Sequence, residues 1–495
     1  MSNILIKNAK IIATMDDNKR EIVNQSIYCE NGKVVEIGEC LNPNYDKRIT
    51  INASEMVVIP GLVNTHHHLF QNLTRCYPKA QNESLFGWLT SLYPIWNKIG
   101  PSDIYISSLI GLSEMVLSGC TTSSDHLYLF PNGSKLEDQI EAAKDVGCRF
   151  HATRGSMSIG ESKGGLPPDS LTENEDSILK DCQRVIEKFH NSSDFAMLKI
   201  ALAPCSPFSV SQDLMKETAS LAREYSVGMH THLAENIEDI VYTEEKFGMR
   251  PGQYIEELGW VGNDVWHAHC VQLNEKEIDL FSKTRTGIAH CPCSNMRLAS
   301  GIAPIRRCID EGVNVGLGVD GSSSNDSGNL LNEARQAMLL QRVNLGANKF
   351  SPREALYTAT RGGANVLNRN DIGQISEGKA ADFAIYDLNN IALSGTWSDP
   401  LAALVLCSPM QTAYTICNGK IISEKGNLNN IDIGLFLEKH KEASINNLII
   451  KKNQKFLTLL LILTFAFSFT ISIYHYGIEQ GFFEESTVCN ARNFT

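Results

Sequence analysis

No cluster of Lys or Arg interrupts the main body of this 495-residue chain, and its formal net charge is −12. No nucleic-acid partner is therefore expected, and the acidic balance reads as solubility. No Cys-x-x-Cys pair occurs among the 14 cysteines, which are scattered singly or sit in close pairs such as Cys291 and Cys293. That argues against a structural zinc knuckle. With 43% hydrophobic and 20% charged residues, the chain can bury a large core without disulfides, so reduced thiols in the cytoplasm are expected. His-Glu-x-x-His is absent, which argues against zinc proteases of that type. The nucleobase-deaminase pattern with Pro-Cys-x-x-Cys also fails, because Met296 stands where the second cysteine would follow Pro292-Cys293. Met1 to Lys10 lacks the charged-then-apolar form of a secretory signal.

What is present falls into three parts. Leu5 to Ile59 reads as short β segments, with Asn31-Gly32 as a hairpin turn. Similar material returns at Ala381-Asp-Phe-Ala-Ile-Tyr and at Ala413 to Cys417, followed by Asn418-Gly419. These flanks, residues 1–59 and 372–445, predict one composite β-sandwich domain built from both chain ends. Residues 60–371 alternate short apolar strands with amphipathic runs such as Leu136 to Val146 and Asp213 to Tyr225. Strand ends are expected at Gly61–His68, Thr121–Leu127, Arg149–Arg154, Ile200–Ser206, Gly228–Glu235, Val265–Val271, Gly287–Pro292 and Val313–Asp320. Eight such units predict an α/β fold, a (β/α)8 TIM barrel, whose chemistry sits at the C-terminal ends of the strands. Residues 446–495 form an appended tail with a single apolar helix.

Asn64-Thr65-His66-His67-His68 closes the first of these strands. Alternate strand residues share a face, so His66 and His68 are expected to point together. Alone, such a cluster is as readily a polar loop. Met229-His230-Thr231-His232 and Gly318-Val319-Asp320-Gly321 close later strands. His66, His68, His232 and Asp320 would then form a three-imidazole, one-carboxylate metal site with room for water. A bound divalent metal lowers the pKa of water to roughly 7. Glu235, three residues past His232, is placed to move protons between water and substrate, although a first-turn Glu is its plain alternative. His269 is expected to orient or polarise the attacking water, whereas His267 reads equally as a core residue. Asp320 is assigned a second role as a proton acceptor.

Together, His66-x-His68, His232-Leu-Ala-Glu235, His269-Cys270 and Asp320 resemble the amidohydrolase superfamily, in its mononuclear-zinc deaminase branch. The resemblance spans Ile4 to about Lys441. His66 to Arg75, Leu85 to Trp96, Arg154-Gly-Ser-Met-Ser and His290 to Pro304 are similar to the 8-oxoguanine deaminase and hydroxydechloroatrazine ethylaminohydrolase group. In that group Ser is usual where Cys293 stands. The resemblance implies one zinc per chain, with ferrous iron as the alternative, a homodimer, and a purine or triazine substrate. The reaction implied is 8-oxoguanine plus water giving urate plus ammonia. Hydroxytriazine, guanine or cytosine aminohydrolysis are the alternatives. It also implies Gln71, Trp88 and Arg154 as substrate contacts; packing for Trp88 and a structural ion pair for Arg154 are the competing readings. A binuclear hydrolase would need a bridging Lys at the end of the fourth strand, where Cys205 and Ser206 stand instead. A catalytically dead barrel used as a scaffold would have lost a ligand, and none is missing.

The tail has its own character. Phe456 to Ile473 is uncharged and apolar, close to the ~18 residues of a membrane-span candidate. Lys451, Lys452 and Lys455 precede it, which would leave the barrel on the cytoplasmic side. Tyr474 to Cys489 resembles a segment of the quinone-linked disulfide-bond formation membrane protein. Only one helix and the start of an outer loop correspond, and the expected partner cysteine is missing. The tail is therefore read as a fused fragment without redox function, with membrane contact through residues 456–473 as the alternative.

Overall fold

The structure is a computed structural model that describes residues 3–39, 48–407, 410–447 and 451–483. Eight parallel strands close into a barrel in chain order: Leu62–Asn64, Cys120–Leu127, Arg149–Ser156, Leu198–Pro204, Gly228–Leu233, Val265–His269, Gly287–His290 and Val315–Leu317. Leu317 pairs with Asn64 to complete the circle. Every residue of the second, third, sixth and seventh strands is buried, as expected for strands covered by helices on one side and by barrel core on the other. The helices begin where short polar side chains can cap them. Asn174 accepts from the Ser177 N–H, Ser211 from Leu214 and Asn274 from Glu277.

The β domain is assembled from both ends of the chain, but as one mixed sheet of nine strands rather than two separate sheets. Its join is Met56–Pro60, which pairs in parallel with Asn3–Ala13 and antiparallel with Phe383–Asp387. The sheet curls around a core that includes Ile6, Ile12, Ile27, Val58, Phe383 and Ile416. The two Asn-Gly turns meet at this curl. The Ala381 N–H donates to the Gly32 carbonyl and the Gly419 N–H to the Ala381 carbonyl, at 2.8 and 2.9 Å. Gly32 has φ +79°, and a Cβ there would stand 2.6 Å from the Asn418 Oδ1, so only glycine fits.

The chain separates into a unit of residues 1–440 and a second of residues 441–495. Within the second, Lys451–Glu479 is one helix. Its segment Thr458–Glu479 is long and apolar enough to cross a membrane by length and composition. Leu459, Leu463, Phe465 and Phe469 are all exposed. The resemblance through Cys489 falls partly beyond the described residues. Among those residues every cysteine is free.

Candidate active site

Asp320 is where the strand ends converge. The first barrel strand stops at Asn64, and His67–His68 forms a separate two-residue pairing with Asp320–Gly321. Nε2 of His66 and Nε2 of His68 lie 3.2 and 3.3 Å from Asp320 Oδ1. His67 is turned to a local task, its Nδ1 accepting the His68 backbone N–H at 2.8 Å. Nε2 of His232 is 3.1 Å from Nε2 of His68. The four residues expected to hold a metal are thus brought together.

The hydrogen bonds fix which nitrogens are free. Nδ1 of His68 donates to the His126 carbonyl at 2.7 Å, and Nδ1 of His232 to the Cys205 carbonyl at 2.6 Å. Both Nε2 atoms therefore carry lone pairs, and these face each other and a carboxylate oxygen. Such a set repels itself unless a cation lies among it. Tetrahedral zinc with bonds near 2.0–2.2 Å separates its ligands by about 3.3 Å, close to the separations found. Nε2 of His66 is buried and has no hydrogen-bond partner. The donor set fits zinc, and it fits ferrous iron equally by ligand type.

Backbone strain gathers at this rim. Ala234, His269, Cys270 and Asp320 have φ of +50°, +70°, +52° and +60°. Each costs a non-glycine residue about 1–2 kcal/mol. These conformations turn Glu235, His269 and Asp320 inward from the ends of three different strands. Oε2 of Glu235 is 3.5 Å from Nε2 of His269, which stands 3.9 Å from Asp320 Oδ2. Burial drives the Glu235 pKa up to about 7, with His269 opposing and Asp320 and Asp239 reinforcing the rise. Burial opposes charging of His269, but Glu235 and Asp320 outweigh it and raise its pKa. Burial also disfavours the Asp320 carboxylate, yet the adjoining imidazoles of His66, His269 and His68 hold its pKa well below the usual range. His269 is oriented by Asn295, whose Oδ1 is 2.8 Å from its Nδ1.

The cavity over these groups holds about 40 Å3, below the usual range for small-ligand sites. Leu85, Trp88, Leu89 and Tyr93 of the helix Leu85–Trp96 cover it, and Gln71, Glu235 and Asp320 supply polar edges. Trp88 is fixed by its indole N–H donating to the Ser323 carbonyl at 2.9 Å. Gln71 is fully buried, and neither its oxygen nor its nitrogen has a partner. Gly321 makes room for it, since a Cβ there would overlap the Gln71 Oε1.

Arg154 requires a correction. Its guanidinium binds Glu173 and Asp181 at 2.7–2.9 Å and stacks on Phe130, and it does not line the pocket. A cation with two carboxylate partners is neutralised where it stands. His267 is a core residue, with Nε2 3.0 Å from the Trp260 carbonyl. Lys199 lies near the start of the fourth strand, far from any bridging position at its other end. Three site residues escaped the sequence reading. His126 sits beside the metal ligands, His230 contacts His66, and Asp239 accepts the Glu235 backbone N–H at 2.8 Å. His230 was accessible from its spacing, since it shares the inward face with His232.

Residues 57–422 match the model of the Amidohydrolase family. The chain is 42% identical over 418 residues to the 8-oxoguanine deaminase of Pseudomonas aeruginosa, covering 84% of this chain and 93% of that one. It is 34% identical over 441 residues to hydroxydechloroatrazine ethylaminohydrolase of a Pseudomonas species, covering 87% and 88%. Among solved structures, atrazine chlorohydrolase of Arthrobacter aurescens, complexed with zinc, superposes with a TM-score of 0.85 at 33% identity, over 89% of this chain and all of that one. The chain belongs to the amidohydrolase family. It is one of the hydrolytic enzymes of that family, in a branch whose relatives include named deaminases and aminohydrolases of carbon–nitrogen bonds.

Proposed function

We propose that this enzyme hydrolyses an exocyclic amine from a purine-like ring, and that 8-oxoguanine is the substrate, giving urate and ammonia. The observation that carries the reading is the convergence of three imidazole lone pairs and the Asp320 carboxylate beside Glu235, at the floor of an aromatic-walled pocket. A zinc or ferrous ion held by His66, His68, His232 and Asp320 would supply Lewis acidity and lower the pKa of water to roughly 7.

This chain's residues divide the remaining work. Glu235 has a pKa near neutrality, so it can take a proton from water and return it to the ring nitrogen and the departing amine. His269, held by Asn295, polarises the attacking water, and Asp320 serves as a second proton acceptor. The unpartnered amide of Gln71 suits the alternating donors and acceptors of a purine edge. Trp88 provides a flat wall, and its helix excludes water. Arg154 buttresses the third strand.

The triazine hydrolases among the structural neighbours favour a second reading, aminohydrolysis of a hydroxytriazine. Ammonia release measured over 8-oxoguanine, guanine, isoxanthopterin and hydroxytriazines decides between them, with urate followed by absorbance. Turnover of 8-oxoguanine at the highest kcat/KM supports the proposal; a triazine preferred over every purine overturns it. The family resemblance supports a homodimer; the tail reads as a fused fragment, with membrane attachment as the alternative, since Thr458–Glu479 is long and apolar enough to cross a membrane. Sedimentation of the intact chain and alkaline extraction of membranes test these two points.

A further inference from the structure

We infer that His230 is a positioning residue that sets the tautomer of the metal ligand His66, an inference that rests on the metal-site reading above. His230 is fully buried in the barrel. Its Nδ1 lies 2.9 Å from the Trp266 carbonyl, and its Nε2 lies 2.7 Å from Nδ1 of His66. A carbonyl only accepts, so His230 must carry its proton on Nδ1. Its Nε2 is then an acceptor, and the proton between the two rings belongs to Nδ1 of His66. The Nε2 of His66 is left with a lone pair, aimed toward Asp320. The chain of bonds has one direction, because reversing it would set the bare Nδ1 of His230 against the Trp266 carbonyl, two acceptors 2.9 Å apart with no proton between them.

Trp266 holds both members of the relay. Its ring stacks on His230 at 4.8 Å and 18°. Its indole N–H donates at 3.1 Å to the carbonyl of Thr65, the residue before His66. The ligand and its orienting imidazole are thus anchored to one side chain. A core histidine satisfied for packing alone would not need its acceptor nitrogen on a metal ligand. His68 and His232 reach the same tautomer directly through backbone carbonyls; His66 reaches it through a second ring.

The test uses the intact chain and its His230→Phe and His230→Gln variants. Each metal-free protein is titrated with zinc against a chromophoric chelator, and its thermal transition is recorded. Phe keeps the ring stack and removes the acceptor, whereas the Gln amide oxygen restores one. Zinc affinity is expected to fall about tenfold to a hundredfold in His230→Phe and to recover in His230→Gln. A second measurement needs no variant: nitrogen-15 spectra of histidine-labelled, metal-free protein should show both His66 and His230 protonated on Nδ1. Wild-type affinity in His230→Phe overturns the relay, as does a proton on Nε2 of His66. A wild-type chain that binds no zinc overturns the metal site, and the relay with it.

Discussion

Replacing Glu235 by Gln should stop turnover and stabilise the protein at the same time. Glu235 is fully buried, and its pKa stands at about 7 against 4.5 in solution. Below pH 4.5 the carboxyl is neutral in both folded and unfolded chains and costs nothing. Between pH 4.5 and 7 the unfolded chain ionises first, and stability falls. Above pH 7 the deficit is complete: 2.5 pH units at 1.36 kcal/mol each is about 3 kcal/mol. Gln has no proton to lose, and its oxygen can still accept from Ser300, 3.3 Å away in the parent. For a folded unit of residues 1–440, an unfolding entropy of about 2.1 cal/mol/K per residue converts 3 kcal/mol into about 3 °C. The metal-free variant should therefore melt about 3 °C above its parent at pH 8 and level with it near pH 4.5. Glu235 is absent from the ligand groups, so zinc content should be unchanged, while kcat/KM falls by roughly 10²–10⁴. Calorimetry of metal-free protein across pH, beside metal analysis and steady-state kinetics, reads all three. A variant that is less stable at pH 8, or that retains turnover, refutes the reasoning.

Four further outcomes follow from the same geometry. Gln71→Leu should raise KM for a purine about fivefold to a hundredfold and leave the melting temperature within a degree or two, because its amide has no partner in the folded chain. Arg154→Met should do the reverse, lowering stability by about 3 kcal/mol in denaturant titrations through the stranded Glu173 and Asp181, with KM unchanged. Asp239→Ala removes the acceptor for the Glu235 backbone N–H and should lower kcat more than it alters KM. Deleting residues 446–495 should leave kcat and KM intact in steady-state assays, because the matched family region ends at residue 422.

The barrel was legible because its signals are local and repeat. Apolar strands with polar ends recur eight times, six of them ending in His, Asp or Glu, and the 3.6-residue period between them marks the covering helices. The composite origin of the β domain was legible from its two Asn-Gly hairpins. Which strands pair across that domain was not, because Gly32 meets Ala381 only after the chain has gone round the barrel. The metal ligands were readable from alternation along strands, although His66 itself lies past the end of its strand. Its placement comes from the pairing of His67 with Asp320. Arg154 misled because a buried arginine at a strand end looks the same in sequence whether its partner is a ligand or Glu173. The left-handed backbone at Ala234, His269 and Asp320 left no mark either, since none of these is glycine.

Anomalous diffraction at the zinc edge, from crystals of the intact enzyme, tests the central claim most directly. A single peak is expected about 2.0–2.2 Å from Nε2 of His66, His68 and His232 and from a carboxylate oxygen of Asp320. Two peaks in the barrel, or one peak that leaves any of these four side chains uncoordinated, would contradict it.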